Sequence, residues 1–327
     1  MINRRDTLTG ALALSVAAAL PPRKAAAQNW PSTHLKLLVG GGAGGVPDSL
    51  ARLAADAMSK TLGQTIIVEN RTGAGGIVAM QSVAGSAPDG YTIGLATMSQ
   101  LVFNSYLFSK LPYDPIRDFK PISTLAWSSS VLVAHPSLSA STLPEVVALS
   151  QKEPGRLLFG IPANGSPPHI AALLLMRETG LSATIVPFKT GPDALTAAMR
   201  GDVQLLIDGP TLLASQVDSK AVNAIVVTGP QRFDSLKDVP TVAEAGFPRA
   251  SVQSWLGLVA SVGTPDAIVE RLSAESRTLL DNNEYVGKLK QMSFVAMSAT
   301  PREFAGLIAD EHQRWAPVLQ AAGLKFG

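Results

Sequence analysis

The sequence LKLLVGGGAGGVPDSLAR, residues 35–52, decides the fold of this chain. An apolar strand runs into a loop of five glycines and one alanine, and a helix follows whose first turn contains Pro47 and Asp48. A glycine loop lets a ligand approach bare backbone, and the start of a helix offers unpaired N–H groups and the positive end of the helix dipole. The stretch therefore predicts a binding site for an anionic group.

Two ligand classes and one ligand-free alternative are open at this loop. Gly40, Gly42 and Gly45 satisfy the pattern G-x-G-x-x-G, and Glu69 ends the next apolar strand. A dinucleotide-binding fold places an acid about 20 residues beyond its glycines, so a nicotinamide cofactor is one interpretation. A small anion is the other. A tight turn without a ligand is the third, although one or two glycines would suffice for a turn.

The N-terminus has the pattern of a secretory signal over residues 1–27. The pair Arg4-Arg5 precedes an apolar run and a small-residue cleavage site, so we expect cleavage near Ala27-Gln28 and a soluble protein in a bacterial periplasm. The arginine pair leaves both Sec and twin-arginine export open. Because the chain has no cysteine, disulfides, thiol chemistry and lipid attachment through cysteine are excluded.

The expected mature chain is close to neutral. Removing residues 1–27 from the 327 leaves 300 residues and lowers Lys+Arg from 27 to 23 and Asp+Glu from 25 to 24, so the net charge is 23 − 24 = −1. This balance gives no support to binding of nucleic acid or of an anionic membrane. A chain of this length with 46% hydrophobic residues is expected to form one large or two medium domains.

Alternating strands and helices predict an α/β protein with two parallel-sheet domains joined by two crossings. Domain I comprises residues 28–125 and 255–327, and domain II comprises residues 126–254. Parallel sheets collect their C-terminal loops at one edge, so each sheet is expected to face a common cleft with loops. The predicted strands are 35–39, 65–69, 91–96, 131–134, 157–161, 184–187, 203–207, 224–227 and 254–260. The predicted helices are 49–61, 77–86, 169–179, 193–199, 266–280, 285–292 and 301–320.

Signatures of catalysis are scarce in the sequence. The four histidines are isolated, no H-E-x-x-H or G-x-S-x-G pattern occurs, and no cysteine could complete a zinc site. Ser166 and His169 could form a nucleophile and a base, but no acid is placed to orient the imidazole, and helix capping is the commoner role. Arg52 and Lys189 are expected to be solvated or paired with acids. We therefore expect neither an enzyme nor a metal or cofactor site.

Eight motifs fall along the chain in a recognisable order. They are GGxxDxxAR at 44–52, VENRxGAGG at 68–76, PDGYT at 88–92, DFxPI at 118–122, NGSxxH at 164–169, PFKxG at 187–191, VPTxxExG at 239–246 and WxGL at 255–258. The sequence resembles the Bug family in these motifs and in their order. These are the TctC-like periplasmic substrate-binding proteins of tripartite tricarboxylate transporters, and the resemblance spans nearly the whole mature chain.

This resemblance implies a function and a set of site residues. It implies a two-domain Venus flytrap of the periplasmic binding protein type II kind, a monomer that closes on a small carboxylate or a related small molecule and delivers it to the membrane permease subunits. Loop amides and hydroxyls are expected to hold the ligand. Carried over residue by residue, the ligand-binding positions are Ala43, Gly44, Gly45 and Ser99 in the first domain and Asn164, Gly165, Ser166, His169, Thr190 and Asp208 in the second.

The sequence departs from the family pattern at two places near the expected site. Gly40-Gly41 stand where Pro-Phe is common, and Thr190 stands where glycine is frequent. We add Gly41 to the site and predict a ligand bulkier than a simple dicarboxylate, unless Met98 or Phe103 fills the space. Two other functions stay open at this point: a twin-arginine-exported NAD(P)-dependent oxidoreductase, and a ligand-sensing partner of a membrane kinase.

Overall fold

The computed structural model describes residues 30–323 and Lys325. The predicted signal at residues 1–27 and its cleavage site lie outside this range. Among the helices that are described, none combines the length and the apolar composition that crossing a membrane requires.

Eleven strands and ten α-helices make up the described part of the chain. The strands are β1 (Leu35–Val39), β2 (Ile66–Asn70), β3 (Thr92–Thr97), β4 (Phe119–Ser128), β5 (Val131–Ala134), β6 (Leu158–Pro162), β7 (Thr184–Phe188), β8 (Leu205–Asp208), β9 (Asn223–Val227), β10 (Ser254–Ser261) and β11 (Val295–Ala296). The helices are α1 (Val46–Leu62), α2 (Ile77–Ala84), α3 (Asn104–Leu107), α4 (Leu143–Lys152), α5 (Pro167–Thr179), α6 (Gly191–Arg200), α7 (Pro210–Asp218), α8 (Asp266–Thr278), α9 (Asn283–Gln291) and α10 (Pro301–Ala322).

The strands form two sheets, which confirms the predicted α/β class. The first sheet has the order β11-β4-β10-β3-β1-β2, and the second has the order β7-β6-β8-β5-β9. Both sheets are mixed rather than wholly parallel, because β10 runs antiparallel to β3 and β4, and β5 runs antiparallel to β8 and β9. Parallel strands that follow each other in one sheet need a crossover connection, which is usually a helix. β5 and β10 each enter their sheet from the other one, so they can run antiparallel to their neighbours.

Helix α1 forms where the glycine loop ends. Pro47 occupies the first turn, where its missing N–H costs nothing, and Gly63 stops the helix in the left-handed conformation at φ 70°. Leu50, Ala54 and Met58 repeat at helical spacing and are buried. The helix packs this apolar face on β1 and β2, so the loop before it is held at the C-terminal edge of the first sheet.

Two short segments carry the chain between the sheets, at residues 129–130 and 251–253. Thr228 ties these segments together. Its Oγ1 donates a hydrogen bond toward Val252 O at 3.2 Å and accepts one from Ser130 N at 3.0 Å, while its own N–H donates to Ser130 O at 2.9 Å. These contacts fix the crossings side by side. The division into two domains at these segments stays a prediction.

A continuous apolar core runs from the first sheet into the second beside the crossings. Phe103 meets Trp315 of α10 edge to face, with ring centroids 5.2 Å apart, and Ile170 and Leu174 of α5 belong to the same cluster. Helix α10 therefore packs against elements of both sheets. This shared core holds the sheets together on one side and leaves the strand-end loops to face each other on the other.

Candidate functional site

A cavity of about 400 Å³ lies between the two sheets. Residues at strand ends and helix starts of both sheets line it, together with the first crossing. From the first sheet and the helices packed on it come Val46, Pro47, Thr97, Met98, Met292 and Phe294. From the ends of β4 and β10 in the first sheet come Ser128, Ser254, Trp255 and Leu256, and from the first crossing come Ser129 and Ser130. From the second sheet and the helices packed on it come Pro167, Pro168, Asp208, Gly209, Pro210, Thr211 and Leu212.

The first glycine loop is held from within by Asp48. This carboxylate is buried and accepts hydrogen bonds from Gly44 N at 2.8 Å, from Asn70 Nδ2 at 2.9 Å and from Arg52 Nε at 3.0 Å. The bonds from Arg52 chiefly, with those from Gly44 and Asn70, outweigh burial and lower the pKa of Asp48 to about 2. Asn70 Nδ2 also donates to Gly41 O at 2.9 Å, so the loop has a fixed shape.

Two of the predicted site residues in this loop, Gly44 and Gly45, therefore use their N–H groups for hydrogen bonds inside the loop. Gly44 has φ +77° and gives its N–H to Asp48, and Gly45 N donates to Gly42 O at 3.1 Å. Ala43 and Gly44 are exposed, and Gly45 caps the start of α1. Ala43, Gly44 and Gly45 do not themselves line the cavity. Val46 and Pro47, which directly follow them, do.

Gly40 of the first glycine loop lies against Gly76 of a second glycine-rich loop, residues 70–76. A Cβ atom on Gly40 would lie 2.6 Å from Gly76 Cα and 2.4 Å from Gln100 Nε2, and a Cβ on Gly76 would lie 1.9 Å from the same nitrogen. Gln100 fixes its own position because its Oε1 accepts a hydrogen bond from Thr97 N at 2.9 Å. The close approach explains why glycine stands at 40, and it gives the second loop a packing role.

Gly41 and Ser99 do not line the cavity, but each lies beside a residue that does. Gly41 is half-buried beside Pro47, whose Cγ would lie 3.4 Å from a Cβ at position 41. The proline ring thus occupies the space next to Gly41, and Phe103 is buried in the core. Ser99 is half-buried and opens the turn that follows β3, while its neighbour Met98 lines the cavity.

The loop between β6 and α5 contains one strained residue and is held by hydrogen bonds within the loop. Ala163 has φ +36°, a conformation that costs free energy in a residue with a side chain, and Asn164 is exposed. Ser166 caps α5: its hydroxyl donates to Pro162 O at 2.5 Å and accepts from His169 N at 3.3 Å. Pro167 and Pro168, the first residues of that helix, line the cavity.

His169 is buried and neutral. Its Nδ1 accepts the N–H of Gly165 at 3.0 Å, which places the ring proton on Nε2. Burial lowers the pKa of His169 to about 4. The histidine therefore braces the loop as a hydrogen-bond acceptor, and it carries no positive charge at neutral pH.

The starts of α6 and α7 meet at Asp208. Thr190 caps α6, its Oγ1 accepting from Asp193 N at 3.3 Å, and it is exposed. Gly191 follows it, and a Cβ there would lie 2.4 Å from Asp208 Oδ2. Asp208 ends β8 and lines the cavity directly.

Asp208 has an unusual electrostatic environment. Its Oδ1 accepts the N–H of Gly209 at 2.6 Å, whereas its Oδ2 is shielded from solvent and has no hydrogen-bond partner among the described residues. Burial raises the pKa of Asp208 to about 6, against the lowering effect of the Gly209 N–H. A carboxyl group with one unpaired oxygen thus borders a predominantly apolar cavity.

Cations are absent from the cavity walls in the part of the chain that is described. None of the lining side chains is lysine, arginine or histidine. Arg52 pairs with Asp48, as expected, and Lys189 is exposed. Glu69, the acid that a dinucleotide site would need, pairs with Lys36 at 3.0 Å and with Arg71 at 3.1 Å. No group of acids and histidines among the described residues could hold a metal ion.

A cleft between two loop-edged sheets suits a protein that captures a small molecule, and comparison with known families agrees. Residues 50–324 match the model of the tripartite tricarboxylate transporter family receptor, TctC. The chain belongs to this family. TctC proteins are periplasmic receptors that bind solutes for such transporters, and this is also the role of this chain.

Relatives and solved structures cover nearly all of the chain. BugT of Bordetella pertussis is 30% identical over 301 residues, which are 92% of each protein. The structure of R. palustris Rpa4515 with adipate has a TM-score of 0.78 at 30% identity, covering 91% of this chain and all of that one. MatC of Rhodopseudomonas palustris with bound malate has a TM-score of 0.73 at 32% identity, with 89% and 100% covered.

The motifs that identify a TctC protein and the residues that line its cavity are largely different. Of the eleven residues predicted for the site, the cavity is lined by Asp208 alone, and most of the others lie within a few residues of lining positions. Sequence reasoning missed the serines 128–130, Ser254 and the first turn of α7. The run of three serines before an apolar strand was the available signal for the first crossing.

Proposed function

We propose that this TctC-family protein captures a small carboxylate in the cavity between its sheets and delivers it to the membrane permease subunits of a tripartite tricarboxylate transporter. The main support for the proposal is the cavity itself, which takes its walls from both sheets and from the first crossing. Closure of such a cleft around a ligand would bury it between the two loop sets. The adipate and malate bound by two relatives support a carboxylate as the ligand.

In this proposal the carboxylate is held by backbone N–H groups rather than by a cation. Helices α1, α5 and α7 all begin at the cavity, where the positive end of each helix dipole lies. Helix α5 has no first-turn N–H to offer, because Pro167 and Pro168 have none and His169 N donates to the Ser166 hydroxyl, so the N–H groups for the ligand come from α1 and α7. Val46, Pro167 and Pro210 are the first residues of these helices. The predicted positions Ala43, Gly44, Gly45, Ser99, Asn164, Gly165, Ser166, His169 and Thr190 then shape these helix starts, while Asp208 faces the ligand.

The remaining parts of the proposal concern the cell. The protein is exported, cleaved near Ala27-Gln28, and works as a monomer in the periplasm. Mass spectrometry of periplasmic material tests this part, and an uncleaved N-terminus on cytoplasmic protein would contradict it.

A cleft-filling variant tests the binding site. Leu212→Trp places a large ring in the cavity, and Leu280→Trp makes the same change on an exposed side chain elsewhere. Residues 28–327 are screened by thermal shift and calorimetry against mono- and dicarboxylates, since a ligand at 100 times its Kd stabilises a protein by about 2.7 kcal/mol. We expect binding to the parent and to Leu280→Trp and loss in Leu212→Trp. Equal binding by both variants would refute the site.

A further inference from the structure

Asp208 is the one charged side chain among the described residues that line the cavity. Oδ1 is satisfied by Gly209, but Oδ2 is removed from water without a partner. A shielded carboxylate with only one hydrogen-bond donor is unfavourable, and a ligand that brings a donor to this carboxylate from the cavity offsets part of the cost.

We propose that Asp208 selects the ligand: the chain binds a monocarboxylate that carries an N–H donor group, an ammonium or a primary amide, at the end that faces this carboxylate. The inference deepens the proposed function and rests on it. The ligand's own carboxylate is held at the starts of α1 and α7, and its N–H group donates to the Asp208 carboxylate.

The same geometry disfavours dicarboxylates. A second carboxylate at this end of the cavity would face another negative group, and no lining cation among the described residues could offset the repulsion. Like charges brought together in a site shielded from water repel strongly, which is the usual source of discrimination against the wrong ligand. The apolar walls, including Leu212, Trp255 and Phe294, would contact the carbon chain between the two polar ends.

Gly191 fixes the carboxylate in place. A Cβ on Gly191 would lie 2.4 Å from Asp208 Oδ2 and 2.9 Å from Leu212 Cδ2, so the start of α6 and Leu212 together leave the carboxylate little freedom. Position 191 has a φ that other residues adopt, because it lies outside the left-handed region, so the glycine is needed for space. This packing makes Gly191 a positioning residue for Asp208.

The test uses two chain-length-matched series of ligands on residues 28–327: succinate, succinamate and γ-aminobutyrate, and adipate, adipamate and ε-aminocaproate. Within each series only the group at one end changes, from carboxylate to amide to ammonium. Calorimetry is done on the parent, on Asp208→Asn and on Asp202→Asn, which removes an exposed acid of the same sheet region. Melting curves show whether each variant is folded.

We expect the parent to bind the amide or the ammonium compound of one series more tightly than its dicarboxylate. Asp208→Asn weakens the ammonium compound by about 10- to 100-fold, the range for losing a hydrogen bond to a charged group, and strengthens the dicarboxylate. Asp202→Asn changes none of these affinities. If the ammonium compound of a series binds more tightly than the amide, the ligand's donor is an ammonium group. The reverse order identifies a primary amide.

Gly191→Ala provides a second variant that keeps the charge. The added Cβ displaces Oδ2, so we expect the preference for N–H donors over the dicarboxylate to shrink without a change in net charge. Tighter binding of a dicarboxylate by the parent, unaffected by Asp208→Asn, would overturn the inference and leave the proposed function standing. Binding of none of the six compounds would contradict both.

Discussion

Asp48 and Asp208 both lie near a junction between a strand and a helix, Asp48 in the first turn of α1 and Asp208 at the end of β8, yet their surroundings differ. Asp48 is buried and accepts bonds from Gly44, Asn70 and Arg52, and its pKa falls to about 2. Asp208 accepts one bond, from Gly209, and its pKa rises to about 6. The number of donors around a shielded carboxylate, rather than shielding itself, decides whether it is satisfied by the fold or available to a ligand.

The comparison assigns different tasks to the two loops. The donors around Asp48 belong to the chain, so the first loop is completed on folding and presents a fixed edge to the cavity. Asp208 has acceptor capacity left over, and it lines the cavity. The number of partners thus separates an aspartate that builds a loop from the one that we propose contacts the ligand.

The largest expected effect is on stability at the first site. Asp48→Ala leaves the N–H of Gly44 and the amide of Asn70 without their acceptor and should lower the free energy of unfolding by roughly 2–4 kcal/mol, less than a fully buried ion pair because Arg52 is half exposed. Urea unfolding measures this. The matched change Asp56→Ala, which removes an exposed partner of Lys60 on the same helix, should cost less than about 1 kcal/mol. Equal costs would erase the distinction.

Removing the charge of Asp208 should raise the free energy of unfolding, which is opposite to the effect expected at Asp48. The pKa of Asp208 is raised in the folded protein, so between about pH 4 and pH 6 the folded state holds a proton that the unfolded state has lost. Stability therefore falls as pH rises through this window, and ionised Asp208 costs up to about 2–3 kcal/mol above it.

We accordingly expect Asp208→Asn to raise the free energy of unfolding of the ligand-free protein at pH 7.5 by about 1–2 kcal/mol, with the gain disappearing near pH 4. Urea unfolding at both pH values checks this. A loss of stability at pH 7.5 would mean that Asp208, like Asp48, is satisfied by the fold.

The smallest effect separates two glycines of the first loop. Gly44 has φ +77° and donates to Asp48, whereas Gly42 does not have a positive φ; neither has an atom within 4 Å of an added Cβ. Gly44→Ala should therefore cost about 1–2 kcal/mol through backbone strain, and Gly42→Ala should cost less than about 0.5 kcal/mol. Thermal unfolding of the pair measures the difference. Equal costs would show that the conformation at Gly44 does not hold the loop.

Sequence patterns predicted much of the fold because its helices and strands have local signals. Helix α1 and the strands beside it were placed within a few residues, since Pro47 and Gly63 mark the ends of the helix. Strand β4 was missed: it lies centrally in the sheet and is mostly buried, so it lacks the alternation of a half-exposed strand. Helix α4 was missed although Thr142 and Glu145 form a capping box, a signal that was available.

The site was harder to predict because its residues come together only in three dimensions. Ser130 of the first crossing and Ser254 at the start of β10 both line the cavity, and nothing in their local sequence indicates this. Gly44 and Ser166 stood out in motifs, but their hydrogen bonds mainly build the loops. Asp208 was placed in the site from the family resemblance, as the end of a strand, whereas the close packing of its Oδ2 against Gly191 arises only when the start of α6 meets the end of β8.

A crystal structure of residues 28–327 with the tightest ligand of the matched series tests the central claim most directly. We expect a ligand between the sheets, with its carboxylate at the start of α1 or α7 and its nitrogen about 3 Å from a carboxylate oxygen of Asp208. A ligand outside the cavity, or one with a carboxylate turned toward Asp208, would contradict it.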